Sequence, residues 1–262
     1  MFGLLRSHRL IFEGRSEVGG DVWSLAFRPE PPFRARAGQH GLLRIPGASI
    51  KAFSLASAPE EATVLIGTSL ASESSFKTRL AALQPDDPAT LRGPLMNFTL
   101  AGAADHVVLL AQGVGITPLR SILGHIALAG LRTQTSLVHV AAAGHAFRAD
   151  TERWADSADY PQHAEQFRTS AVAAAQGHPN ATFYIAGASS FVTSTAALLR
   201  QVGIAKKSIR QDKYLGHQDR RPTTSDQRPA TSDQRPATKT ISWVPPARRQ
   251  DHLTAVHEMR SG

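Results

Sequence analysis

Cysteine is absent from the 262-residue chain. That absence excludes disulfides, thiol nucleophiles, cysteine-ligated zinc, c-type haem attachment and ordinary iron–sulfur clusters. A chain of this kind that moves electrons needs an organic redox group. Aromatic residues are scarce, at 6%, and no basic stripe interleaves with them in the way that stacks single-stranded nucleic acid. Long apolar runs are missing too. The longest, such as His106–Gln112 and Thr182–Ala186, are strand-sized and fall short of the roughly 18–20 residues of a membrane span. Near the N-terminus Leu10, Ile11 and Phe12 are interrupted by Glu13, Gly14 and Arg15, which removes a signal-peptide core. The expectation is a soluble, cytoplasmic protein, neither an integral membrane protein nor a nucleic-acid binder.

What is present begins with charge. There are 29 Lys and Arg against 21 Asp and Glu, a formal +8. Residues 218–262 hold 8 of the cations and 5 of the acids, so the rest of the chain keeps 21 against 16, or +5. Such a surplus suits an acidic protein or a phosphate-bearing cofactor. Within 218–262 the heptapeptide TSDQRPA at Thr224–Ala230 recurs unchanged at Thr231–Ala237. A proline in each copy and almost no apolar residue exclude a coiled coil and predict a low-complexity, disordered C-terminal tail.

Two patterned regions precede that tail. Up to about residue 101, short apolar runs between Gly, Pro and polar turns predict strands at Arg9–Arg15, Val22–Arg28, Gly41–Ile45, Ala52–Ala56, Thr63–Thr68 and Asn97–Leu100. One helix interrupts them at Ser75–Leu83, with Phe76, Leu80 and Leu83 on one face. Many strands and one helix suggest an antiparallel β-barrel. From 102 to 217 the rhythm is strand–helix alternation: strands at His106–Ala111, Ser136–Ala141, Thr182–Ala186 and Ser208–Tyr214, helices at Pro118–Ala129, Arg148–Ala155 and Phe191–Gln201. Alternation of that kind predicts a doubly wound parallel sheet. The stretch Tyr160–Asn180 carries no clear pattern. The fold class is therefore two-domain, β followed by α/β, with domains 1–101 and 102–217 and the tail 218–262.

Three loops have the makings of anion sites. A buried strand runs into Gln112-Gly113-Val114-Gly115-Ile116-Thr117-Pro118, with Thr117 expected as helix N-cap and Pro118 as first helical residue. Glycines there let a pyrophosphate or ribose approach the backbone, and a helix start offers N–H groups and a positive dipole end. Strand Thr182–Ala186 likewise runs into Gly187-Ala188-Ser189, with Ser189 the expected cap. Ser72-Glu73-Ser74-Ser75-Phe76-Lys77 opens the lone helix of the first region with hydroxyls and a lysine. For the first, a ligand loop is favoured over a structural turn; the second is equally compatible with a structural cap; the third, taken by itself, reads as an ordinary serine cap. Lys51 and Phe53 share one face of a strand, where a cation and a ring would hold a phosphate and a flat heterocycle, or serve merely as surface and core. The histidines His8, His40, His106, His125 and His139 are scattered, and His252 and His257 are five apart, so no metal site is expected.

Taken in order, these segments resemble the ferredoxin–NADP reductase superfamily, and within it the compact bacterial FAD-dependent oxidoreductases. Lys51-Ala52-Phe53-Ser54 approximates the family pattern R-x-[YF]-S, and S-S-F-K stands intact at Ser74–Lys77. Gly93-Pro94-Leu95-Met96-Asn97-Phe98 approximates G-P-x-G-x-F, and G-x-G-I-T-P is intact at Gly113–Pro118. Phe183–Ala188 stands for Y-x-[CA]-G-P, and Asp212–His217 for the closing E-x-F-x-G-Y. The chain departs from the family at Lys51 for arginine, Met96 for glycine, Ala188 for proline, Asp212 for glutamate and His217 for tyrosine.

The resemblance implies FAD on the barrel and NADPH or NADH on the α/β domain, the choice between the two left open. Lys51, Ala52, Phe53 and Ser54, with Ser74, Ser75 and Phe76, would hold FAD. Phe53 would lie against its ring, and Ser54 would place a hydroxyl near the flavin N5. Gly113, Gly115, Ile116, Thr117, Pro118 and Gly187 would line the nicotinamide cofactor's path, with Ser54 and Thr117 the catalytic pair. His145 and Arg148 are the cations available to a 2′-phosphate. The implied activity is hydride transfer from NAD(P)H to flavin, with electrons leaving for a separate acceptor, an acidic ferredoxin- or flavodoxin-like protein or a small molecule. The departures leave an alternative: a catalytically weakened flavin- or nucleotide-binding regulatory module on the same fold.

Overall fold

The computed structural model describes residues 6–71, 74–95, 98–100 and 105–214, all within one compact unit. The first half comprises β1 (Ser7–Gly19), β2 (Val22–Glu30), β3 (His40–Arg44), β4 (Lys51–Ser54), β5 (Val64–Ser69), α1 (Ser75–Ala81) and β6 (Pro88–Leu95). The strands form one curled antiparallel sheet in the order β4-β3-β6-β1-β2-β5. Residues two apart along a strand share a face. Leu10 and Phe12 of β1, Leu25 and Phe27 of β2, and Leu91 of β6 accordingly fill a single core, into which α1 sets Phe76 and Leu80. The outer strands β4 and β5 are not ladder partners; just beyond β4, the Ala56 N–H donates to the Leu65 carbonyl at 2.7 Å. The Leu65 N–H in turn donates to the Ser57 hydroxyl at 3.1 Å, so the expected barrel is a half-barrel whose edges touch at this point.

The second half runs β7 (His106–Gln112), a 3₁₀ turn (Gly113–Gly115), α2 (Ile116–Leu128), β8 (Gln134–Val140), α3 (Arg148–Trp154), β9 (Ser157–Asp159), α4 (Ala164–Gly177), β10 (Thr182–Ala188), α5 (Ser189–Gln201) and β11 (Ile209–Tyr214). Its parallel sheet has the order β11-β10-β7-β8-β9. The chain winds outward from β7, then crosses back to β10, so the direction reverses at the β7/β10 border, where open α/β sheets bind ligands. Alternation along β7 divides the two faces. Val107, Leu109 and Ala111 pack with Ile116, Leu119 and Ile122 of α2. Val108 and Leu110 pack with Phe167 and Ala171 of α4 and Val192 and Leu199 of α5. Helices on both faces make the sheet doubly wound, as expected.

The two layers share a core. Val22, Ala37, Ala56 and Phe98 from the first half join the α2 cluster. Arg120 of α2, 4% exposed, reaches across to Glu61 at 2.9 Å and the Ala56 carbonyl at 2.8 Å, and pairs with Asp150 of α3 at 2.7 Å.

One sequence expectation needs correction. A strand was expected at Asn97–Leu100; Phe98–Leu100 is not strand, Asn97 lies outside the described residues, and the final strand of the sheet is β6. Helix α4 and the short β9 fill the unpatterned stretch and its approach. The expected border at 101/102, Met96, and the tail from 218 lie outside the described residues. Among the described residues no helix is long and apolar enough to cross a membrane.

Candidate functional site

Strand β4 sits at the edge of the half-barrel and presents Lys51 and Phe53 on one face, half-buried, with Ala52 exposed on the other. The Phe53 ring stacks on Phe76 at 5.8 Å with 28° between planes. Above it lies Lys77 Nζ, 5.4 Å from the ring centroid, which also donates to the Thr68 hydroxyl. Burial pulls the Lys77 ammonium down to about 8, against the opposing influence of the Asp21 carboxylate. At the start of α1 the Ser74 hydroxyl accepts from the Lys77 backbone N–H at 3.3 Å, while Ser75 is exposed. Phe76, 2% exposed, belongs to the core and supports Phe53 from behind. Ser72 and Glu73 lie outside the described residues.

Next to Phe53 the two layers meet. Ser54 and His40 are cross-strand partners on β4 and β3, and Ser54 Oγ lies 3.0 Å from His40 Nε2. From β11, Asp212 brings Oδ2 to 3.1 Å of the same nitrogen. All three side chains are buried or nearly so. The carboxylate oxygen is close enough for ion pairing but off the line of a hydrogen bond. Asp212 Oδ2 and His40 Nδ1 are therefore buried polar atoms without a hydrogen-bond partner, a costly state that a polar ligand would relieve.

The second loop cluster lies at the carboxyl edge of the parallel sheet. Helix α2 begins at Ile116 with Gly115 as its N-cap, so Thr117 is not the cap and Pro118 is the third helical residue. The Thr117 hydroxyl donates to the Val114 carbonyl at 2.9 Å; the residue is 1% exposed and its methyl packs on Gly67 of β5. Ile116 and Pro118 are buried as well. Gly115 serves packing: a β-carbon there would stand 2.3 Å from the Ala186 carbonyl oxygen of β10. Gly113, at φ +52°, is open on its free side. Its carbonyl accepts from His139 Nε2 at 2.9 Å, and burial holds the His139 imidazole down to about 4, neutral near pH 7. The second loop was expected to be capped by Ser189; the N-cap is Ala188, without a side-chain bond. Gly187 lies against Phe191 and Gln112.

Between these loops is a cavity of about 410 Å³ lined by residues that include Gln112, Gly113, Ala142, Gly144, Phe167 and Phe191. The two cations singled out from sequence are committed elsewhere. His145 Nε2 bonds the Pro161 carbonyl at 3.0 Å, and the Arg148 guanidinium lies over Tyr160 at 4.6 Å and 3.6 Å from Glu152.

Known proteins with this arrangement include the FAD/NAD-binding domain of a nitric oxide dioxygenase from Vibrio cholerae, at a TM-score of 0.65 and 18% identity over 79% of this chain and 98% of that one. A ferredoxin-NADP+ reductase from Plasmodium falciparum has a similar fold, at a TM-score of 0.63 and 12% identity over 79% of this chain and 95% of that one. A flavohemoglobin from Malassezia yamatoensis, solved with FAD and heme, has a similar fold at a TM-score of 0.65 and 17% identity, over 79% of the chain and 60% of that protein. Over 74 residues, 28% of its length, the chain is 36% identical to a flavohemoprotein of Deinococcus radiodurans, of which the match spans 18%. No family model matches. The structure brings Phe53, Ser54, Ser74 and Phe76 to one place and the Gly113–Pro118 loop and Gly187 to another. His40 and Lys77 were missed as site residues. Lys77 was readable inside S-S-F-K; His40 carried no local signal.

Proposed function

We propose that the chain is an FAD-dependent oxidoreductase that takes hydride from a nicotinamide dinucleotide onto its flavin and passes electrons to a separate acceptor. The observation that carries this reading is the meeting of Phe53, Ser54 and His40 of the half-barrel with Asp212 of the parallel sheet. A half-buried aromatic ring suits a flat, electron-poor ring stacked on it. Two buried polar atoms beside it that lack a hydrogen-bond partner, Asp212 Oδ2 and His40 Nδ1, suit a ring edged with nitrogens and carbonyls. Lys51 and Lys77 would supply cations for the FAD pyrophosphate, with Ser74 and Ser75 at the helix start. Lysine acts there as a point charge where a guanidinium would make a two-pronged bond.

Bound FAD would supply the hydride-accepting ring, and the protein's part is chiefly positioning. Phe53 orients the ring plane. Ser54 holds a hydroxyl proton beside it, His40 fixes the direction of that hydroxyl, and the Asp212 carboxylate, 3.1 Å from His40 Nε2, braces the imidazole. The loop from Gly113 to Pro118 and Gly187 would guide the dinucleotide along the sheet's carboxyl edge, Thr117 acting by holding the loop. An acidic redox protein suits the +5 surplus of residues 1–217 as the acceptor.

The test is direct. Full-length protein incubated with FAD and desalted should keep its flavin and oxidise NADH or NADPH with an artificial acceptor. Ser54→Ala should keep the flavin and lower turnover about 10²-fold, the low end of what a positioned proton-transfer group contributes. Protein that holds no flavin and oxidises neither nucleotide would overturn the proposal.

A further inference from the structure

One wall of the carboxyl-edge cavity comes from the other layer. Asp21 and Val22, where the β1–β2 turn enters β2, line it beside Ala142, Ala143 and Gly144. Backbone contacts fix that turn in place. The Phe147 N–H donates to the Val18 carbonyl at 2.7 Å, and Gly19, at φ +120°, lies so close to His145 that a β-carbon would stand 2.5 Å from its carbonyl oxygen. The Asp21 carboxylate is thus delivered to the cavity by a docked hairpin. Among the described lining residues it is the one charged side chain; no Lys, Arg or His joins it. His145 and Arg148 are engaged with Pro161, Glu152 and Tyr160. Lys77 is near enough to feel Asp21, yet it is bonded to Thr68 and is not part of the lining.

The geometry points to a cavity that takes an adenosine with a free 2′-hydroxyl and rejects one with a 2′-phosphate, so that the chain uses NADH in preference to NADPH, with Asp21 the discriminating residue. This rests on the dinucleotide reading above and deepens it. Ribose hydroxyls donate readily to a carboxylate, whereas a 2′-phosphate needs a cation. Here that phosphate meets alanine, glycine and a negative charge. Repulsion between a carboxylate and a phosphate dianion a few ångströms away in water amounts to about tenfold or more in affinity.

Calorimetry on the full chain with 5′-AMP and 2′,5′-ADP reads this without turnover. 5′-AMP should bind about tenfold tighter or more, with NADH favoured over NADPH to a similar degree in flavin reduction. Asp21→Asn should narrow the gap, and Ala142→Arg, at an exposed position, should reverse it. Equal or tighter binding of 2′,5′-ADP by the unmodified protein overturns the inference, as does failure of both fragments to bind while NADH still reduces the flavin. Selective 5′-AMP binding without any flavin reduction would leave this inference standing and remove the oxidoreductase reading beneath it.

Discussion

The Arg120 guanidinium is held by two carboxylates and a carbonyl, at 2.7–2.9 Å, and lies over the Phe147 and Trp154 rings at 5.2 and 4.9 Å. Arg120→Met leaves the buried Ala56 carbonyl without its donor, while the partly exposed Glu61 and Asp150 carboxylates regain water. The change should therefore cost about 1–3 kcal/mol of unfolding free energy, read from urea denaturation. His139 makes a different prediction. Its folded value, about 4, lies below the roughly 6.5 of a solvated imidazole, so the unfolded chain binds the extra proton. Stability is then full above pH ~6.5 and declines as the pH falls toward 4, by on the order of 3 kcal/mol. His139→Gln, which keeps a donor for the Gly113 carbonyl, should remove about one proton's worth of that slope. Lys77, with its value lowered to about 8, loses its charge as pH rises. FAD retention should weaken above that pH, and Lys77→Met should weaken it about tenfold at neutral pH if a charged hydrogen bond is lost.

At the scale of elements, the start of α2 is wedged against β10. Gly115→Ala would drive a β-carbon into the Ala186 carbonyl, a backbone atom that has nowhere to go. A loss of about 1–3 kcal/mol is expected, with weakened nucleotide binding as the loop shifts, measurable by thermal unfolding with and without 5′-AMP. The same scale explains what the sequence disclosed. Strands β7 and β10 were readable because both their faces are buried, giving unbroken apolar runs. Strand β6 was not, because Pro88, Gly93 and Pro94 break up its pattern. Helix α4 hides its stripe: Phe167, Ala171 and Ala175 recur at helical spacing, but alanine gives a faint hydrophobic signal. The loop glycines were conspicuous, yet Gly115 answers a packing demand from β10 that only the fold reveals.

At the scale of the whole molecule, the site exists only where two layers meet. Ser54 was readable from its motif and Asp212 from its place near the end of the last strand. His40 was not, since its significance comes from contact with both, across a sheet edge and between layers. Nothing periodic in the chain encodes such a contact. The shared core around α2 and the Arg120 clamp keep these residues in register. Loosening that border by Arg120→Met should lower flavin reduction more than it lowers flavin retention, since in the proposed reading FAD would be held by one layer and its reductant by the other. The central claim is tested most directly by anaerobic titration of the FAD-loaded full-length protein with NADH, followed through the flavin's visible absorbance. The account predicts stoichiometric bleaching, with His40→Phe slowing it and leaving the flavin bound. Retained flavin that NADH and NADPH both leave oxidised would contradict it and mark the chain as a binding module on a reductase fold.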